Sequence, residues 1–228
     1  MAYLSVVIPT LNAAATLQAC LGALAEARTR GLVDQLVVVD GGSRDATVEI
    51  ARAGGAVVVE SEAGRGRQLA TGANIAAGGW LLFLHADTVL SPGWATAAAD
   101  FMARPDAGQA AAVFRLAYDE DSRAARRVAG LANWRARHLG LPYGDQGLLI
   151  PRELYEAVGG FADVPLMEDV GLVRGIGRRR LRMLDATAVT SAGRYRRDGW
   201  WWRPVRNLAV LSLYFLGVPP RTLKRFYG

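Results

Sequence analysis

Trp80-Leu81-Leu82-Phe83-Leu84-His85-Ala86-Asp87-Thr88 is the stretch on which the reading of this 228-residue chain turns. Five apolar residues in a row suit a strand buried on both faces, as in a parallel sheet covered by helices on either side. Side chains two apart on an extended segment share a face, so His85 and Asp87 are expected to project together past the strand's end. Ligands of open α/β sheets bind outside the carboxyl ends of the strands. An imidazole and a carboxylate aimed at one point there suit a divalent cation. A polar strand exit with Asp87 as a cap would give the same letters, so the neighbouring strand ends must decide.

Upstream, strand and helix signals alternate. Tyr3 to Ile8 reads as a strand closed by Pro9, and Ala13 to Arg28 as a helix with Leu17, Leu21 and Leu24 on one face. Leu36 to Val39 is a buried strand, Asp45 to Arg52 a helix, Ala56 to Val59 a strand and Gly64 to Ala77 a helix. This rhythm predicts an α/β fold with a mostly parallel sheet and helices on both faces. Downstream, Ala110 to Ala117 reads as a strand, Ser122 to Leu139 as a polar helix and Leu148 to Ile150 as a short strand. Glu168 to Gly177 reads as a helix, followed by strand signals at Met183-Leu184 and Ala188 to Val189-Thr190. No internal repeat or linker divides residues 1–228, which predicts a single domain.

The formal net charge of +6 rests on arginine, Lys224 being the only lysine. Such a balance suits phosphate-bearing ligands or an anionic membrane surface. It argues against nucleic acid, because the basic residues do not alternate with aromatics in a recognisable binding motif. Cys20 is the only cysteine, which excludes an internal disulfide or cysteine-based metal site and fits a reducing compartment. Met1 to Ile8 lacks the basic region of a secretory signal, and no apolar run reaches the roughly 18 residues of a spanning helix. A cytoplasmic protein is expected.

Two further strand ends resemble the one at His85. Pro9-Thr10-Leu11-Asn12 follows the first strand and Asp40-Gly41-Gly42-Ser43 the second. A carboxylate at a strand tip can accept hydrogen bonds from a base or ribose, and adjacent glycines let backbone approach closely. Gly64-Arg65-Gly66-Arg67-Gln68 opens a helix, where free N–H groups and guanidinium groups can converge on a diphosphate. Met167-Glu168-Asp169-Val170 opens another. Its acids complement the helix dipole, and one of them could also serve as a general base on an incoming hydroxyl.

The ordered set of Val6-Val7-Ile8-Pro9-Thr10-Leu11-Asn12, Asp40-Gly41-Gly42-Ser43, Phe83-Leu84-His85-Ala86-Asp87 and Met167-Glu168-Asp169 resembles the family 2 glycosyltransferases of GT-A fold. It is most similar to a small bacterial subgroup with a His-Ala-Asp metal motif and a Gly144-Asp145-Gln146 segment. The resemblance implies transfer of a sugar, with inversion, from a nucleotide-sugar donor to a hydroxyl acceptor, including one carried on a lipid. It implies that Pro9, Thr10, Asn12, Asp40, Gly41, Ser43 and Ala86 hold the donor and that Arg65 or Arg67 faces its diphosphate. Asp87, with His85, would bind Mn²⁺ or Mg²⁺, and Asp169 would be the base. Asp145, Gln146, Glu168, Arg194 and Arg196 would serve the acceptor or assist. Residues 1–105 would form the nucleotide-binding half, 106–195 the acceptor side, and 196–228 a helical tail.

The chain departs from the family pattern in three places. His85 stands where the first Asp of Asp-x-Asp is usual, which suits Mn²⁺ better than Mg²⁺. Ala13 replaces a Glu, and Ala70 an Asn for which Asn74, one turn later, could substitute. These departures suggest a rival reading, a module that binds nucleotide sugars without turnover. A nucleotidyltransferase is a further rival, although its glycine- and lysine-rich phosphate loop has no counterpart at Pro9 to Asn12. In the tail, Trp200-Trp201-Trp202 and the apolar run Leu208 to Val218 follow an arginine-rich segment. Three consecutive tryptophans cannot all turn inward, so contact with a partner or the inner face of a membrane is expected.

Overall fold

The computed structural model describes residues 4–227. Tyr3, the expected start of the first strand, and Gly228, the end of the expected tail, lie outside the described residues. The alternation read from the sequence is present as β1 (Leu4–Thr10), α1 (Ala14–Thr29), β2 (Val33–Asp40), α2 (Thr47–Ala53), β3 (Val57–Glu60), α3 (Arg65–Ile75) and β4 (Trp80–Phe83). Then come β5 (Thr88–Leu90), α4 (Trp94–Met102), β6 (Ala111–Tyr118), α5 (Arg123–Leu139), β7 (Leu148–Pro151) and α6 (Arg152–Ala157). The chain closes with α7 (Glu168–Ile176), β8 (Leu181–Thr190), α8 (Gly193–Asp198), α9 (Trp202–Phe215) and α10 (Pro220–Tyr227).

The eight strands make one sheet in the order β3-β2-β1-β4-β7-β6-β8-β5. From β3 to β4 neighbours are parallel, while β7 runs antiparallel to both β4 and β6. Beyond it β6 and β8 are parallel, and β5 is antiparallel to β8. The sheet is therefore parallel in its first half and mixed in its second. A four-residue apolar run carries no direction of its own, so Leu148 to Pro151 could not announce its reversal. The two strand signals at Met183 and Ala188 are one strand, bulged where its register with β6 shifts between Val113 and Arg115.

Alternation along the buried strands divides the core into two layers. Val6, Ile8, Val38 and Leu82 face α1 and α4. Val7, Val37, Val39, Leu81 and Phe83 face the other way, with α3, α6 and α7. Cys20 sits wholly buried in the first layer, its thiol donating to the His85 carbonyl at 3.5 Å. Burial, reinforced by the Asp87 carboxylate, pushes that thiol up to about 12. Arg152 ties down the end of α3 by donating to the carbonyl of Ala73 in its last turn and to those of Ala76 and Gly78 just beyond.

Gly72 lets α3 lie flat on β1 and β2. A Cβ there would collide with Val7 Cγ1 and come within 3.0 Å of Val39 Cγ2. Gly72→Val should therefore destabilise the fold by about 1–3 kcal/mol through overpacking. Urea denaturation would read this as a lower midpoint with an unchanged slope, and an unchanged midpoint would refute the close packing.

Candidate active site

Strand register brings the polar turns to one edge. Thr10 pairs with Asp40 and Val7 with Phe83, so the carboxyl ends of β1, β2 and β4 lie side by side. Because β7 is antiparallel, Leu148 opposes Phe83 and the Gly144-Asp145-Gln146 turn arrives where β4 leaves. Tyr118 pairs with Thr190, which adds the ends of β6 and β8. Strand order reverses between β1 and β4, and such a switch point is where α/β sheets bind ligands. Here lies a cleft of about 120 Å³ whose lining includes Arg65, His85, Asp87, Asp145, Asp169 and Arg194.

His85 and Asp87 do converge, but not as neighbours on an extended strand. The strand ends at Phe83, and a tight turn in which Thr88 N–H donates to the His85 carbonyl at 3.1 Å carries both side chains. His85 is half-buried as a residue, yet its Nε2 is enclosed and has no hydrogen-bond partner among the described residues. Burial, with Arg65 and Arg194 adding to it, pushes the imidazole down to about 3, so it is neutral at pH 7. A Cβ at Gly144 would stand 2.7 Å from that Nε2, so the missing side chain leaves the space beside it.

Asp169 opens α7 behind Met167, whose φ of 66° is one of only two positive values at non-glycine residues among those described. The other is Asn12, also on this edge, and strain of this kind collects at functional sites. Asp169 Oδ2 accepts from Gly144 N–H at 2.8 Å, which orients the carboxylate beside the Gly144 turn. Glu168 beside it is buried and ion-paired with Arg65. Burial pushes the Glu168 carboxyl up, with Arg65 opposing and Asp169 adding to the rise. Asp145 is pushed up to about 6, chiefly by burial and further by Asp169 and Asp87 against the pull of Arg135 and Arg65.

The β1–β2 rim is built differently. Asp40 Oδ1 accepts from Thr10 at 2.9 Å and Ser43 at 2.5 Å, and Oδ2 from the N–H groups of Gly42 at 2.9 Å and Ser43 at 2.7 Å. Burial raises this carboxyl, but those hydrogen bonds outweigh it and the net shift is downward. With its lone pairs engaged, Asp40 shapes the turn. Asn12 N–H donates to Ser43 Oγ at 2.8 Å, and Asn12 Oδ1 accepts from Arg44 N–H at 2.8 Å. Gln68 packs beneath Gly41 and donates to the carbonyls of Thr10 and Val39, both at 2.8 Å. Pro9 is half-buried at the end of β1.

Several expected residues do not reach the cleft. Arg67 is held by Asp163 and Glu62, and Arg196 by Asp119 and Glu120. Gln146 is buried under the turn and donates to the Phe114 carbonyl at 3.1 Å. Ala86 packs into the core, and Asn74 is exposed near the far end of α3. Conversely, Tyr118, Tyr143, Arg203 and Asn207 line the cleft without having been singled out. They come from distant segments, and no local pattern marks them.

The residues present fit a divalent cation in one respect: a neutral imidazole with an enclosed, unpartnered nitrogen stands in one cleft with Asp87. No group of three or more His, Cys, Asp or Glu placed for a metal occurs among the described residues. An ion here would need oxygens from a bound substrate to complete its ligands.

The family model for glycosyl transferase family 2 matches residues 5–161, well over half of the chain. The chain belongs to that family. A "PGL/p-HBAD biosynthesis glycosyltransferase" of Mycobacterium tuberculosis is 42% identical over 93 residues, 38% of this chain and 36% of that relative. The chain thus matches only about a third of that relative's length. Among solved structures, glucosyl-3-phosphoglycerate synthase from Mycobacterium tuberculosis with Mn²⁺, UDP and glucosyl-3-phosphoglycerate superposes at a TM-score of 0.59. It is 21% identical, and the match covers 83% of this chain and 70% of that one. A mannosyltransferase from Pyrobaculum calidifontis in complex with GDP-Man and Mn²⁺ gives 0.62 at 23% identity, covering 82% and 56%. These likenesses establish the GT-A-type fold.

Asp145 and His85 give opposite pH slopes. Asp145 titrates near 3.8 when unfolded and about 6 when folded, so its contribution to stability is complete below the lower value and lost as pH rises through the upper. His85, lowered from 6.5 to about 3, contributes above 6.5 and loses that contribution as pH falls. With chelator present, Asp145→Asn should therefore gain stability relative to the parent chain as pH rises from 4 to 7. Urea melts at each pH test this, and a pH-independent difference would be inconsistent with the raised carboxyl.

Proposed function

We propose that this family 2 member transfers a sugar, with inversion and with the help of a divalent cation, from a nucleotide-sugar donor to a hydroxyl acceptor. The observation that carries this reading is the single cleft at the sheet's switch point that gathers His85, Asp87 and Asp169. The nucleoside would lie along the rim formed by Pro9, Thr10, Asn12, Gly41 and Ser43, within the half spanning residues 1–105. Arg65 and Arg194 bring positive charge to the diphosphate side, Arg65 being steadied there by Glu168. Asp87 and His85 would hold Mn²⁺ or Mg²⁺ together with donor oxygens. The bound ion supplies Lewis-acid stabilisation of the charge that builds on the departing nucleoside diphosphate.

Asp169 is the general base of this reading. It takes the proton of the acceptor hydroxyl as that oxygen bonds to the anomeric carbon and the carbon–phosphate-oxygen bond breaks on the opposite side. Gly144 N–H keeps the carboxylate turned toward the acceptor, and the Met167 turn limits its freedom. Acceptor contacts would come from residues 106–195 and from the tail. In the tail Trp201 is 77% exposed, Trp202 70% and Leu216 80%, which supports contact with the inner face of a membrane. No helix among the described residues is long and apolar enough to cross one.

Asp169→Asn should lower transfer by about 10²–10⁴-fold while leaving donor affinity in place. Asp87→Ala should instead weaken binding of UDP-glucose or GDP-mannose in Mn²⁺ while leaving any metal-free binding unchanged. Calorimetric titration with and without Mn²⁺, followed by a donor-hydrolysis assay, separates the two effects. Full activity of Asp169→Asn would remove it from the mechanism, and donor binding without turnover would point to the silent module.

A further inference from the structure

A second concavity, about 460 Å³, opens between α5 and α9 and lies within the roughly 300–1,000 Å³ range of ligand pockets. One wall carries Val128, Leu131 and Trp134; the other carries Val205, Leu208 and Leu211. Leu131 and Leu208 are each 63% exposed, far more than apolar side chains on two facing helices need be. An apolar recess of this kind marks a binding surface.

The groove is continuous with the active-site cleft, since Tyr118, Tyr143, Asp145, Tyr195 and Asn207 line both. At that junction enclosed polar atoms of both kinds have no hydrogen-bond partner among the described residues: the acceptors Asp145 Oδ1 and Asn207 Oδ1 and the Tyr118 hydroxyl, with Arg135 Nη2 on the groove side. A carboxylate and an amide oxygen accept, a guanidinium donates and a phenol does either, so a group that both donates and accepts suits the junction. Buried polar atoms left without partners are costly, and a ligand hydroxyl, which both donates and accepts, would satisfy one of each kind. A second protein chain or a flat bilayer contact would need no hydroxyl at this inner end.

We propose that the α5–α9 groove is the acceptor subsite, seating the hydrocarbon body of an amphipathic alcohol whose hydroxyl lies at the Asp145–Asn207 junction, in the cleft that Asp169 lines. This assignment rests on the sugar-transfer reading of the cleft. It narrows the acceptor from any hydroxyl compound to one carrying a long apolar chain, and gives α9 a role in substrate choice.

Tryptophan fluorescence titration with 1-hexanol, 1-heptanol and 1-octanol tests the groove directly, Trp134, Trp200 and Trp201 being reporters on its lining. Affinity should rise about fourfold per added methylene. Methyl octyl ether, which cannot donate, should bind about tenfold more weakly than 1-octanol. Leu131→Gln with Leu208→Gln should flatten the chain-length dependence, whereas Leu216→Gln, more exposed still but outside the groove, should keep it. If the double variant fails to fold by circular dichroism, the alcohol–ether comparison on the unaltered chain still decides. Affinity independent of chain length, equal binding of ether and alcohol, or a dimer that octanol does not dissociate would overturn the proposal. Donor hydrolysis in Mn²⁺ without alcohol reads the transfer chemistry separately. Its absence with every donor sinks the transferase reading, while hydrolysis without chain-length dependence sinks only the groove.

Discussion

The antiparallel seating of β7 between β4 and β6 governs the geometry of the cleft around His85 and Asp169. Phe83 opposes Leu148, so the chain enters β7 at the edge where it leaves β4, and the Gly144 turn is set against His85. Leu81, Leu82, Leu149 and Ile150 are completely buried along that pairing. A slip of one residue would turn each of them to the wrong face, which makes the register costly to change. The cleft is thus positioned by hydrophobic packing beneath it rather than by its own hydrogen bonds.

That packing confines charges that would otherwise separate. Asp87, Asp145 and Asp169 line one small cavity with Arg65, Arg194 and Arg203, and Arg65 is already shared with the buried Glu168. Loss of water, with repulsion among the carboxylates, shows as the raised Asp145 and Glu168, and loss of water with the nearby Arg65 and Arg194 as the depressed His85. Bound positive charge would relieve the first group, and the neutral imidazole is ready to share in holding it. The rim at Asp40 is a contrasting design, a carboxylate satisfied within its own turn and rigid before any ligand arrives.

The strand ends were readable because polar residues interrupt apolar runs there, and the α/β order followed from the spacing. What the sequence hid was direction and facing. Residues two apart on a helix point about 200° from each other, so only one of Arg65 and Arg67, or of Arg194 and Arg196, can address a common point. Their letters are alike; Asp163 and Glu62, and Asp119 and Glu120, claim the second of each pair. β5 is three residues long, too short to show a period, and α4 follows Gly93 without a polar side-chain cap. The groove between α5 and α9 joins segments some 70 residues apart, and α5 reads simply as a polar helix. The resemblance to the family supplied the reaction class, which spacing alone could not.

Cys20 carries a practical consequence. Walled in beneath the His85 turn and held as the thiol, it lacks the thiolate that alkylating reagents and disulfide exchange require at neutral pH. The chain therefore behaves toward such reagents as though it had no cysteine. A thiol introduced on the surface would be the sole point of attachment for a fluorophore or cross-linker, with the native residue left in place.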